Sequence, residues 1–324
     1  MTSPHIPTDL KPYPLEIAPP DISLYRSGNT DVEYFTTYTG PVAGPHIMIT
    51  ALTHGNELCG AVVLDALFKS EFRPLRGRLT LGFCNVEAFH SFNRDYPTLS
   101  RFVDEDMNRL WEIPVLNSAR DTVEARRCRE IRPLLDQVDF LLDIHSMQHP
   151  TPALMLAGPM PKGRALAEAV GVPESVVIDH GHAAGRRMRD YDRFSDPMTH
   201  HAALLVECGQ HWSKISVEVA RQTMIRFLVA TGCADQGLIE DWLEPEPPPT
   251  QQVIEVIDPI TVKNDIFTFV APYIGMEVIA KAGTLLAMDG DTAIHTAHDN
   301  CVLIMPSHRL SRGQTAVRLG RFVD

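Results

Sequence analysis

The six cysteines, at 59, 84, 128, 208, 233 and 301, form no Cys-x-x-Cys pair, which removes a cysteine zinc cluster or a disulfide framework and leaves reduced, buried thiols. Dense Lys/Arg runs are also missing, and the formal charge is -12, so neither a nucleic-acid surface nor an anionic-membrane surface is expected. No apolar stretch approaches a membrane span, and residues 1-14 lack the apolar core of a signal segment. The chain therefore reads as cytoplasmic, without nucleic acid or membrane as partner, and with assembly into a homo-oligomer left open. An acidic exterior still permits an anionic substrate, because a few arginines in a pocket reverse the local potential.

The 324 residues, 44% of them hydrophobic, are ample for a large core. Segments 22-25 and 32-38, split by Ser27-Gly-Asn-Thr30, read as a hairpin. Apolar runs at 46-52, 78-84, 138-144, 175-178 and 202-206 read as strands; 61-68, 117-135, 161-170 and 214-231 carry helical spacing. This alternation predicts an α/β fold with a sheet flanked by helices. A proline-rich linker at 241-250 separates a domain at 1-240 from a β-rich segment at 251-324, read as a small all-β domain with strands near 253-257, 266-270, 278-279, 285-286 and 301-304.

His54-Gly-Asn-Glu57 follows the strand at 46-52 and opens the next helix. An imidazole and a carboxylate three residues apart on a tight turn can close on one ion, which supplies two ligands of a zinc site. A hydrolytic zinc takes three protein ligands, and His145, where the apolar run 138-144 stops, is the best candidate for the third. Strand ends distant in sequence converge in an open α/β sheet. Taken singly, each residue has a plainer reading as a turn cap, a solvated carboxylate or a satisfied core histidine. Glu207 follows an apolar strand, a setting that raises a carboxylate pKa toward proton shuttling. Arg101, Asn108 and Arg109 lie in a long charged loop of the kind that carries function.

Four separate pieces together resemble the succinylglutamate desuccinylase/aspartoacylase family of zinc-dependent amidohydrolases, related to zinc carboxypeptidases: His54-Gly-Asn-Glu57, Asp106-Met-Asn-Arg109, Asp143-Ile-His145 and Val206-Glu207-Cys-Gly209. The resemblance spans roughly residues 45-215, and the tail resembles the family's C-terminal domain. It implies a zinc carboxypeptidase-like mixed sheet and one zinc per chain on His54, Glu57 and His145, with Glu207 as general base and then acid. Arg101 would polarise the scissile carbonyl, while Asn108 and Arg109 would grip a substrate carboxylate. The implied reaction is hydrolysis of the amide of a small N-acylated amino acid or related amine. One departure stands out: aspartoacylases carry another carboxylate-binding arginine where this chain has Pro197, leaving Arg186, Arg187, Arg189 or Arg193 as substitutes. The family's substrate-contacting tyrosine is not located either, Tyr273 being the only tyrosine after the linker.

Two other readings compete. A metallocarboxypeptidase acting on short peptides would need an open groove. A non-catalytic zinc or ligand-binding module would have no use for a base at Glu207.

Overall fold

The computed structural model describes residues 13-182, 184-243, 247-307 and 310-323. Residues 1-12 and 244-246, which hold much of the proline-rich N-terminus and part of the linker, lie outside the described residues.

Among the described residues, seven strands precede the linker: β1 (Phe35–Thr39), β2 (Val42–Ala51), β3 (Arg76–Phe83), β4 (Phe140–Met147), β5 (Leu154–Leu156), β6 (Ser175–Ile178) and β7 (Ala202–Gln210). Seven follow it: β8 (Gln252–Thr261), β9 (Phe267–Phe269), β10 (Glu277–Ile279), β11 (Leu285–Asp289), β12 (Thr292–His295), β13 (Cys301–Ile304) and β14 (Thr315–Val323). The helices are α1 (Leu58–Lys69), α2 (Val86–His90), α3 (Ile113–Leu116), α4 (Val123–Leu135), α5 (Pro161–Val170), α6 (Lys214–Ala230) and α7 (Gly237–Trp242). No helix among the described residues is long and apolar enough to cross a membrane.

One mixed sheet of eleven strands runs in the order β1-β3-β2-β4-β7-β5-β6-β8-β14-β13-β10. Its centre is parallel, β3 to β2 to β4 to β7, and buried on both faces. Alternate residues serve opposite sides: Ile47, Ile49, Leu142, Ile144, Leu204 and Val206 join the core with α1, α5 and α6, whereas Met48, Leu141 and Ala203 join the core with α4. Strict alternation of the side chains makes both layers possible within one apolar strand. The fold is thus the expected α/β architecture, with a second sheet of three antiparallel strands, β12-β11-β9, in the C-terminal part.

The tail is joined to the rest by main-chain hydrogen bonds, since β8 pairs in parallel with β6 and carries β14, β13 and β10 after it. The proline-rich linker marks a change of composition but no break in the sheet.

Two local expectations are corrected. Residues 22-34 form no hairpin: Ser23–Tyr25 is a 3-10 turn, and only β1 enters the sheet, against β3. Tyr25 is held by side-chain contacts instead, stacking on Phe68 at 4.2 Å and donating a hydrogen bond to Asp65 at 2.7 Å. The helix expected over 117-135 starts at Val123, capped by Thr122, whose hydroxyl accepts from the Ala125 amide at 3.1 Å.

Candidate metal centre and its cavity

β2 ends in a sharp turn. Leu52 takes φ 60°, a backbone conformation unfavourable for a branched side chain, and the turn is held because the Cys84 and Asn85 amides donate to Ala51 and Leu52 carbonyls at 2.9 and 2.8 Å. The turn delivers Thr53, His54 and Glu57, and Glu57 is the residue from which α1 starts. Gly55 is required for space: a Cβ there would lie 2.3 Å from the Ala88 carbonyl carbon and 2.5 Å from the Ser100 oxygen, so the start of α2 and the following loop press on the motif.

Parallel pairing brings the remaining residues in. Thr50 is registered with Asp143, and His145 with Glu207. His145 and Glu207 therefore lie within strands that run past the expected ends, which aligns them side by side.

The three ligand candidates, His54, Glu57 and His145, are at most 3% exposed, with ligand atoms all within 4.8 Å of one another. Glu57 lies between the rings, its Oε1 2.7 Å from His54 Nδ1 and its Oε2 2.9 Å from His145 Nδ1. Each ring is backed on its other nitrogen by a carboxylate, Asp106 against His54 Nε2 at 2.9 Å and Asp143 against His145 Nε2 at 2.7 Å. The hydroxyls of Thr50 and Thr53 both donate to Asp143 Oδ1, fixing it. A carboxylate behind each imidazole is the arrangement that orients histidine toward a metal and raises its basicity.

Charge gives the second test of fit. Glu57, Asp106 and Asp143 converge on two imidazoles, and against these three carboxylates stand Arg101, hydrogen-bonded to Glu57 and Asp106, and Arg109, 3.7 Å from Asp106 Oδ2. Burial opposes charge on His145, yet Asp143 and Glu57 outweigh it and hold the ring well above its usual pKa. Burial likewise opposes ionisation of Glu57, but His54 and His145 hold its carboxyl well below the usual range. The cluster demands positive charge at its centre. A divalent cation with nitrogen and oxygen ligands meets that demand, and zinc suits the donor set.

One cavity of about 250 Å³ is lined by all seven residues singled out in the sequence: His54, Glu57, Arg101, Asn108, Arg109, His145 and Glu207. Glu207 is pushed up to about 8, first by burial and then by Glu57, and its Oε2 makes no hydrogen bond among the described residues. Arg101 reaches Glu57 Oε1 and Asp106 Oδ2 at 3.2 Å each. Asn108 accepts from the Met188 amide at 2.9 Å, and its Nδ2 stands 3.5 Å from His145 Nε2. The charged loop is anchored from below: the buried Glu124 carboxylate accepts the amides of Val103, Asp104 and Glu105 at 2.7 to 3.2 Å.

A model of the succinylglutamate desuccinylase/aspartoacylase catalytic domain matches residues 43–228, more than half of the chain. The chain belongs to that family. Its members are hydrolytic deacylases acting on small acylated amino acid substrates. Among solved structures, a succinylglutamate desuccinylase from Vibrio parahaemolyticus is 17% identical with a TM-score of 0.70, covering 90% of this chain and 87% of its own. A succinylglutamate desuccinylase/aspartoacylase from Rhodobacter sphaeroides is 16% identical with a TM-score of 0.63, covering 90% of each chain. The product-bound ectoine utilization protein EutE (DoeB) from Ruegeria pomeroyi is 17% identical with a TM-score of 0.62, covering 90% of this chain and 92% of its own. At these identities the likeness is one of fold. No curated protein sequence matches the chain.

Of the four arginines considered as substitutes at Pro197, only Arg187 lines the cavity. Arg189 is buried against Asp190 and the Ala157 and Ala203 carbonyls, Arg193 bonds to His201 and the Asp136 carbonyl, and Arg186 lies near the Asp190 carbonyl. Tyr273 stands away from the cavity, packed on Phe269 with its hydroxyl 3.4 Å from the Leu285 carbonyl. His182 and His211 also line the cavity, and so does Arg318, which no sequence motif singled out.

Proposed function

We propose that this chain is a zinc-dependent deacylase that hydrolyses the amide bond of a small N-acylated amino acid or related amine. The observation that carries the reading is the convergence of His54, Glu57, His145 and Glu207 on one cavity. His54, Glu57 and His145 would hold one zinc ion. When bound, zinc supplies a Lewis acid that polarises a carbonyl and acidifies water.

The chain's own groups perform the rest. Glu207, with a free buried oxygen, takes a proton from the attacking water and passes it to the departing amine nitrogen. Arg101 offers N–H donors to the negative charge that develops on the carbonyl oxygen. Arg109 binds a substrate carboxylate, with Asn108 beside it held by the Met188 amide. Met305, Pro306, Ser307 and Thr315 from the tail help to wall the cavity, and a volume of about 250 Å³ suits a small molecule better than a peptide groove. A reducing cytoplasm suits the six cysteines, all free and buried.

Metal analysis of the purified protein, followed by a screen of N-acetyl, N-succinyl and N-formyl amino acids and diamines for amine release, tests the reading. One zinc per chain and release from at least one compound is the expected result. A protein that retains no metal and releases no amine from any of them would overturn it.

A further inference from the structure

A second cavity, of about 400 Å³, shares no lining residue with the first among the described residues. Three guanidiniums, Arg26, Arg126 and Arg127, and three carboxylates, Glu33, Glu87 and Glu130, line it. An ion of one sign meets as much repulsion as attraction there, whereas a ligand with one charge of each sign finds a partner for both. The existing pairs are open to exchange. Arg26 and Glu33, 3.1 Å apart, are 66% and 58% exposed, and Arg126 bonds at 2.8 Å to an Asp121 that is 77% exposed. Exposed ion pairs contribute little, so replacing one partner by a ligand charge costs little.

The wall of this cavity is built from the groups that hold the candidate metal centre. Asn85 lines it, and its amide closes the turn at Leu52 by donating to the Leu52 carbonyl at 2.8 Å. Asn85 Nδ2 donates at 3.0 Å to Glu124 Oε1, in the carboxylate that anchors the loop between Arg101 and Asp106. Arg127 Nε donates to the Cys84 carbonyl at 2.8 Å, behind the same turn, and the Val123 amide to Asp104 Oδ2 at 2.8 Å. Glu87 lies in α2, whose Ala88 and Phe89 backbone presses on Gly55. A residue at φ 60°, as Leu52 is, persists only while its surroundings enforce it, so a ligand that fixes Arg127 and α2 acts directly on the enforcing contacts.

We propose that this cavity is an effector site for a zwitterionic free α-amino acid, whose carboxylate the guanidiniums take and whose ammonium the carboxylates take. Its occupancy stiffens the turn carrying His54 and Glu57 and the loop carrying Arg101. A free amino acid is also the class of product that the deacylase reading yields, so feedback on turnover rests on that reading; binding and stiffening do not.

The test is calorimetric titration of L-leucine, and of 4-methylpentanoate and 3-methylbutylamine, which keep its skeleton and lack one charge each. The proteins are native, Glu87→Ala, Arg126→Ala and Arg109→Ala, with hydrogen–deuterium exchange followed over residues 84-90 and 101-109. Leucine is expected to bind native protein about tenfold or more tighter than either analogue, and to slow exchange in both segments. Glu87→Ala and Arg126→Ala, both at exposed side chains that the fold does not need, should each weaken leucine by about tenfold; Arg109→Ala should keep its affinity. Equal binding of the three compounds, or leucine binding without slowed exchange, overturns the effector site. Leucine binding lost in Arg109→Ala and kept in the other two overturns it as well, and places the amino acid in the metal cavity as the deacylase reading requires of a product. Binding lost in Glu87→Ala and Arg126→Ala of a protein that releases no amine from any N-acyl amino acid supports the effector site and counts against the deacylase reading alone.

Discussion

Two groups of histidine and carboxylate lie at opposite ends of the same pair of strands. At the carboxyl side of β4 and β7 are His145 and Glu207, joined by His54 and Glu57; at their amino side are Asp139, His200 and His201, whose ligand atoms also lie within 4.8 Å of one another. The first group is buried, and both of its rings are backed by carboxylates. In the second, the His200 side chain is 71% exposed, and both rings face the same Asp139 oxygen at 3.3 Å each. Residue types and proximity are therefore shared, while burial, backing and charge deficit are not. Those three properties, at the carboxyl ends where an open sheet gathers its loops, make the first group the better candidate for a metal.

The comparison breaks most sharply at the ligands. His145→Ala should remove the bound ion and lower turnover by about a thousandfold or more, whereas His201→Ala should leave one ion per chain. Elemental analysis after gel filtration reads both; loss of the ion from His201→Ala would dissolve the distinction. Next in size, Glu207→Gln should lower kcat by about a hundredfold to ten-thousandfold with metal content unchanged, the expected loss for a general acid-base group. A metal-depleted Glu207→Gln protein would instead make Glu207 a ligand.

Backing carboxylates give a smaller effect. Asp143→Asn should weaken metal affinity by about ten- to a hundredfold in competition with a chelator, and Asp139→Asn should leave it as it was. The smallest effect concerns His46, a buried histidine with a structural role, bonded to Thr80 Oγ1 at 2.7 Å. Burial, and then Arg78, push it down to about 4. Its folded pKa lies below the unfolded value near 6.5, so as pH falls the unfolded chain takes up the proton first, and the stability present above that value is lost toward pH 4. Chemical unfolding of His46→Gln should show a slope between pH 6.5 and 5.5 flatter by about 1 kcal/mol, with metal content unaltered.

Much of this was legible in the sequence because it is local. The turn at His54 and Glu57 is announced by an apolar run before it and helical spacing after it, and the strands carrying His145 and Glu207 by their apolar character. What escaped depends on partners. Glu124 reads as one more charge on an Arg/Glu-rich helix face, yet it is fully buried because three loop amides require an acceptor there. Arg187 could not be chosen over its neighbours until Asp179 was seen to hold it. β12 and β14 were missed, and with β14 went Arg318, since a lone charge between Val317 and Leu319 carries no sign of what it faces.

The parallel ladder between β6 and β8 sets a rule for remodelling this protein. A chain shortened at the linker would leave β6 with a row of bare amides and carbonyls, an adhesive edge on which copies would stack. Grafting another relative's tail to alter acyl preference would thus have to reproduce that ladder, residue for residue, before any new side chain could reach the cavity.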